Sequence, residues 1–157
     1  MPSRKTDTLL NETTEVSVSK TAGEIVAQLV AIGADEINHS YKEGKLSGLK
    51  WVLKIQGQPR VFEMPVRTTP IFEILQGRRR EPWRFTTKDR EQAERVAWRQ
   101  LLRWVEVQVA MIITGMAEAR EVFLPYLWDP VTNQTLFQFM EGRGFKSLPA
   151  AESERPQ

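Results

Sequence analysis

Apolar residues recur at helical spacing in two stretches of the chain and alternate in a stretch between them. In the first, Thr21 and Glu24 fit a capping box, the hydroxyl and carboxylate satisfying free amide donors. Ala22, Ile25, Val26, Leu29 and Val30 then share one helix face, and Gly33 stands where a left-handed cap is needed. Just upstream, Val16 and Val18 alternate with Ser17 and Ser19, the pattern of a short strand. Glu36 to Tyr41 reads as a polar strand and Lys42 to Lys45 as a turn around Gly44. Leu49, Trp51, Leu53 and Ile55 alternate cleanly, so they face one side of a strand.

Gln56-Gly57 fits a two-residue hairpin turn. That turn fixes the register: Trp51 opposes Phe62, Leu49 opposes Met64, Val52 opposes Val61 and Lys50 opposes Glu63. Aromatic, apolar and charged residues then meet suitable partners together, which favours this pairing. Pro59 and Pro65 lack amide donors and put the second strand at a sheet edge or make it short. Pro70 to Leu75 fits a short helix or a strand equally, and Gln76 to Thr86 reads as a loop.

The second helical stretch is long. Thr86 or Thr87 caps a helix predicted to reach about Ile113, with Asp89 and Glu91 in the first turn, where the helix dipole favours acids. Trp98, Leu102, Val105, Val109, Ile112 and Met116 form its stripe, widened by Ala97, Leu101 and Trp104, and Gly115 ends it. Val107, Ala110 and Ile113 carry the apolar arc further round, which implies burial on several sides or self-association. A last helix over about Met116 to Leu127 is interrupted at Pro125. Asp129-Pro130 and Asn133 mark a turn before an apolar patch, Leu136 to Met140.

The resulting order is β-α-β-β-β-α-α. It predicts an α+β fold: a small antiparallel β-meander of three or four strands, packed by an N-terminal helix, a long helix and a C-terminal helix. With 157 residues, 41% of them apolar, the chain has enough for one core and too little for two. One domain over 16–142 is expected between flexible tails at 1–15 and 143–157.

Charge changes the picture locally. The net charge is only +2. Yet the stretch from Gln76 to Trp104 holds nine basic residues against Glu81, Asp89, Glu91 and Glu94, a local charge of +5. Arg78, Arg79, Arg80 and Arg84 surround Trp83 and Phe85. A guanidinium fork suits phosphate, and neighbouring aromatics suit unpaired bases. Arg95, Arg99 and Arg103 follow at four-residue spacing, along one side of the long helix. These nine residues, Phe85 included, form the candidate nucleic-acid site. Against that reading, Glu91–Arg95 and Arg103–Glu106 have the spacing of pairs that serve only the helix, and Trp83 and Phe85 could plug the loop onto the core.

Other chemistry finds little support. With no cysteine, disulfides, thiolate nucleophiles and cysteine metal sites are excluded. His39 is the single histidine, and no nucleophile or carboxylate stands at matching spacing. Glu63, Glu91 and Glu94 could at most offer a carboxylate magnesium site, without motif-like spacing. No phosphate-cradling glycine loop is present. No catalytic residue, metal ligand or cofactor is therefore expected. Without a signal-peptide run or an apolar membrane span, a soluble, cytoplasmic protein is expected.

The chain also resembles a family of small phage- and prophage-associated proteins with no assigned activity. The likeness rests on Val16-Ser17-Val18, Ile32-Gly33-Ala34, the Gly57 hairpin ending in Met64-Pro65, and Gly77-Arg78-Arg79-Arg80 ahead of Ala97 to Leu102. Thr114-Gly115, Val122-Phe123-Leu124 and Leu148-Pro149 complete it, over roughly 16–149. The chain departs from the pattern at Pro82-Trp83-Arg84-Phe85 and at Pro125. The resemblance implies a phage-related origin and a compact fold, and carries no chemistry. By order of elements the chain is also similar to double-stranded-RNA-binding domains and to phage single-strand annealing proteins, analogies of architecture only. Three roles follow as expectations. The first is a non-enzymatic accessory protein of phage replication or recombination that binds single- or double-stranded nucleic acid. The second is an interaction module or small phage regulator that docks on a protein, or on a second copy, through the long apolar helix. The third is a carboxylate-metal enzyme.

Overall fold

The computed structural model describes residues 8–84 and 86–146. Its elements are α1 (Val18–Ala31), β1 (Asp35–Lys42), β2 (Lys45–Ile55), β3 (Gln58–Pro65), α2 (Thr69–Gly77), α3 (Thr87–Ile113), α4 (Ala119–Phe123), β4 (Trp128–Asp129), β5 (Gln134–Thr135) and α5 (Leu136–Gly142). Short 3₁₀ turns cover Pro82–Arg84 and Leu124–Tyr126. The fold is α+β, with a three-stranded antiparallel meander ordered β1-β2-β3 and a small β4-β5 hairpin.

The meander follows from its turns and its alternation. Both two-residue turns, Glu43-Gly44 and Gln56-Gly57, hold both residues at positive φ, the geometry whose twist matches that of the strands it joins. The Gln56-Gly57 turn sets the expected register: Trp51 pairs with Phe62, Leu49 with Met64, Val52 with Val61 and Lys50 with Glu63. Leu49, Trp51 and Leu53 are buried on one face. They meet Ala22, Ile25 and Leu29 of α1 and Trp98, Leu102, Val105 and Val109 of α3. Each large apolar side chain removed from water here contributes roughly 1.5–3 kcal/mol.

β3 is one of the two edges of this sheet, as its prolines predict. A two-residue turn closed by the Ile55–Gln58 pair leaves the backbone groups of positions 59, 61, 63 and 65 pointing away from β2. Pro59 and Pro65 take the two outer positions, where a missing amide costs no ladder bond. The middle is covered by Leu127, which forms an antiparallel bridge with Phe62.

Several elements differ from expectation. Val16 to Ser19 is no strand: Ser17 caps α1, its hydroxyl accepting from the Lys20 amide at 3.2 Å. Thr21, expected to cap, lies buried inside the helix. Val30 and Met116, placed in the apolar stripes, are exposed, as are Val107 and Ile113. Pro70 to Leu75 is helical, within α2, which packs Ile71 against Ala93, Val96 and Ala97 of α3 as a second small core. Beyond Gly115 (φ 79°), the expected helix to Leu127 is only α4 and a 3₁₀ turn, since Pro125 lacks the amide that would carry it on. The patch Leu136–Met140 forms most of α5, capped by Thr135.

The segment expected as an N-terminal tail packs onto the fold from Leu9, which lies against Ile71, Ala93, Val96 and Ala97. It turns over Leu10–Thr13 and lies along α3. The Gln92 amide donates to the carbonyls of Glu12 and Thr14 at 2.9 and 3.0 Å. Gln100 donates to the carbonyl of Leu10 at 3.0 Å. Residues 1–7 and 147–157, including the Leu148-Pro149 match, lie outside the described residues.

Candidate nucleic-acid interface

The arginine loop joins α2 to α3 and is tied down at both sides. Arg78 makes an ion pair with Glu12 of the N-terminal segment. Arg79 makes one with Asp89 in the first turn of α3. Asp89 also closes the helix start, accepting from the Thr86 amide at 2.7 Å and the Thr86 hydroxyl at 2.9 Å. The Thr86 amide bond is the main cause that holds the Asp89 carboxyl below the ordinary carboxylate range. Partial burial opposes the shift, and the Thr86 hydroxyl and the Arg79 charge reinforce it. Arg90 lies 4.4 Å from the centre of the Phe72 ring, joining the start of α3 to α2.

This bracing leaves three side chains outward. Trp83, in the 3₁₀ turn, is 77% exposed, the only tryptophan among the described residues placed so. Arg80 is exposed and makes no ion pair among the described residues. Arg84 is 74% exposed and among the described residues pairs only with Glu81, at 2.9 Å, a surface contact that adds little. Arg79, Arg80, Glu81, Trp83 and Arg84 line an open concavity of about 610 Å³. Phe85 lies outside the described residues.

The helical half of the candidate site is not a free basic face. Arg99 has a side chain only 12% exposed. It reaches Glu24 at 2.5 Å and the Thr21 hydroxyl at 3.5 Å, so the two residues read as a capping box serve instead as its partners. Arg95 donates through Nε and Nη2 to the side-chain Oε1 of Gln92 at 3.1 and 2.5 Å. It thereby orients the amide that holds the N-terminal segment. Arg103 stays at the surface, paired with Glu106 at 3.0 Å. Four-residue spacing advances a helix face by about 40° per step, enough to carry the stripe from the α1 contact out to solvent.

The carboxylates considered for a metal do not converge. Glu94 is paired with Lys45 at 3.0 Å, and among the described residues no three His, Asp or Glu side chains are grouped to hold an ion. His39 is exposed on β1. Among the described residues no helix is long and apolar enough to cross a membrane.

One feature could not be read from the pattern. A concavity of about 320 Å³ lies between β3 and the C-terminal elements, walled by Trp128, Pro130, Leu136 and Phe139 beside Arg60. Asp129, also in its wall, is spent on its own turn, accepting from the Val131 amide at 2.9 Å and the Thr132 hydroxyl at 3.0 Å. Only the fold-back of β4 and β5 brings these residues together. Compared with protein-family models, curated proteins and solved structures, the chain matches none.

Proposed function

We propose that the protein is a non-enzymatic nucleic-acid-binding accessory protein, of the kind used in phage replication or recombination, and that the loop Arg80 to Arg84 makes the contact. The observation that carries this reading is the outward tryptophan, Trp83, which shares one concavity with the exposed Arg80 and Arg84 in a loop braced by two ion pairs. Arginines beside an exposed aromatic suit a phosphate backbone and its bases. Arg95 and Arg99 are assigned to the fold and leave the contact set. Arg103 is left as a peripheral contributor.

Anisotropy of short fluorescent oligonucleotides across a salt series tests the reading. Binding weakens with salt, and the Arg80→Ala/Arg84→Ala double variant lowers the log–log slope by roughly 1.4 on single strands, two phosphates' worth. No binding at low salt, or an unchanged slope in the variant, refutes it.

A second reading, docking on a protein partner or a second copy, is favoured by Val107 and Ile113, which are 57% and 65% exposed on the C-terminal half of α3. It expects co-purification with one stoichiometric partner after nuclease treatment, or concentration-dependent sedimentation of the pure protein.

A further inference from the structure

We infer that the nucleic acid taken by this loop is single-stranded, with one unpaired base stacked on Trp83 and the flanking phosphates held by Arg80 and Arg84. The inference rests on the nucleic-acid reading above. Trp83 is 77% exposed and lines the concavity together with both arginines. An indole face in such a position accepts the face of any base, but a base inside a duplex has both faces covered by its neighbours. Stacking therefore requires an unpaired or extruded base. Arg80 and Arg84 line the same concavity as the indole, so their guanidiniums are placed to take phosphates of the strand whose base stacks there. The third loop arginine, Arg79, is held by Asp89 and acts as a positioning residue that keeps the loop in place. Sequence preference is expected to be slight, because stacking reads a π face and the guanidiniums read phosphate.

The full chain is tested with single-stranded DNA, the same strand carrying abasic sites, and the matching duplex, at one low salt concentration. Single strand binds more tightly than either competitor. Trp83→Ala weakens single-strand binding by roughly 5- to 150-fold, the range for one stacked base, and leaves residual duplex binding unchanged. Trp83→Phe retains most of the affinity. Because Trp83 is exposed, both variants keep the wild-type unfolding midpoint. Duplex binding that equals or exceeds single-strand binding, or a Trp83→Ala variant of undiminished affinity, overturns the stacking inference while leaving nucleic-acid binding in place. Failure to bind any of the three ligands overturns both.

Discussion

The Arg99 guanidinium of α3 and the Glu24 carboxylate of α1 meet at 2.5 Å. The arginine is almost wholly enclosed, while the carboxylate keeps contact with water. Such a pair lies between the exposed kind, which contributes little, and the buried kind, whose disruption is costly. Arg99→Ala is expected to destabilise the fold by about 1.5–3 kcal/mol, the worth of a charge-assisted hydrogen bond, and to leave oligonucleotide affinity unchanged. Urea unfolding and anisotropy on the same variant check the two halves. A variant of normal stability that loses affinity would return Arg99 to the binding surface.

Why the arginine stripe misled is physical. Spacing shows which residues share a side of a helix, and says nothing of what packs there. α1 covers that side, and Thr21 and Glu24 have the spacing of a capping box as well as that of an arginine clamp. The meander was legible because two constraints coincide: a turn of fixed length, and alternation that a one-residue slip would invert. The long helix was legible because its stripe persists from Trp98 to Val109. The fixed N-terminal segment was not, because it is held by glutamine side chains, Gln92 and Gln100, bonding to backbone that any sequence would offer. α4, β4, β5 and α5 are each too short to show a period. The outward loop Arg80 to Arg84 was visible as charge and aromatics, and only its bracing by Glu12 and Asp89 required the fold.

Gly48 and Gly23 should respond oppositely to alanine. At Gly48, opposite Pro65 in the β2–β3 ladder, an added Cβ would lie 2.6 Å from the Met64 carbonyl oxygen and 3.1 Å from the Pro65 Cα. Both are backbone atoms, so the edge strand itself must move. Gly48→Ala is expected to cost about 1–3 kcal/mol, as overpacking does. Gly23 lies inside α1, where a Cβ meets nothing within 4 Å. Gly23→Ala should stabilise by about 0.5–1 kcal/mol through helix propensity and reduced freedom of the unfolded chain. Denaturation midpoints of the two variants, on either side of wild type, are the check.

The Asp89 carboxyl titrates below its ordinary value in the folded chain, so its contribution to stability has a defined pH window. A group with a depressed folded value stabilises fully above its unfolded value, about 4 for an aspartate. The contribution is lost as pH falls through the folded value. The stability difference between wild type and Asp89→Ala should therefore be constant from neutral pH down to about pH 5. It should shrink below about pH 4. Thermal unfolding of both proteins across that range measures it. A difference that vanished already at pH 6 would mean that the carboxylate makes neither the Thr86 nor the Arg79 contact in solution.

Phe123 brings the C-terminal part of the chain into the centre of the core. Its ring stands edge-on to Trp51 at 5.4 Å, to Trp104 at 5.9 Å and to Phe62 at 6.4 Å, while Trp51 and Phe62 stack across β2 and β3 at 5.9 Å. It is fully buried although α4 is one of the shortest elements. The tertiary packing of this single ring, rather than helix propensity, must hold the element. Phe123→Ala is expected to cost about 3–5 kcal/mol. The damage should also spread, because the chain after Phe123 supplies Leu127, which covers the exposed edge of β3 at Phe62. Hydrogen exchange should show the β3 amides at positions 61 and 63 losing protection in Phe123→Ala more than the β2 amides do. Uniform loss of protection across the meander would mean instead that the C-terminal segment and the sheet unfold as one unit.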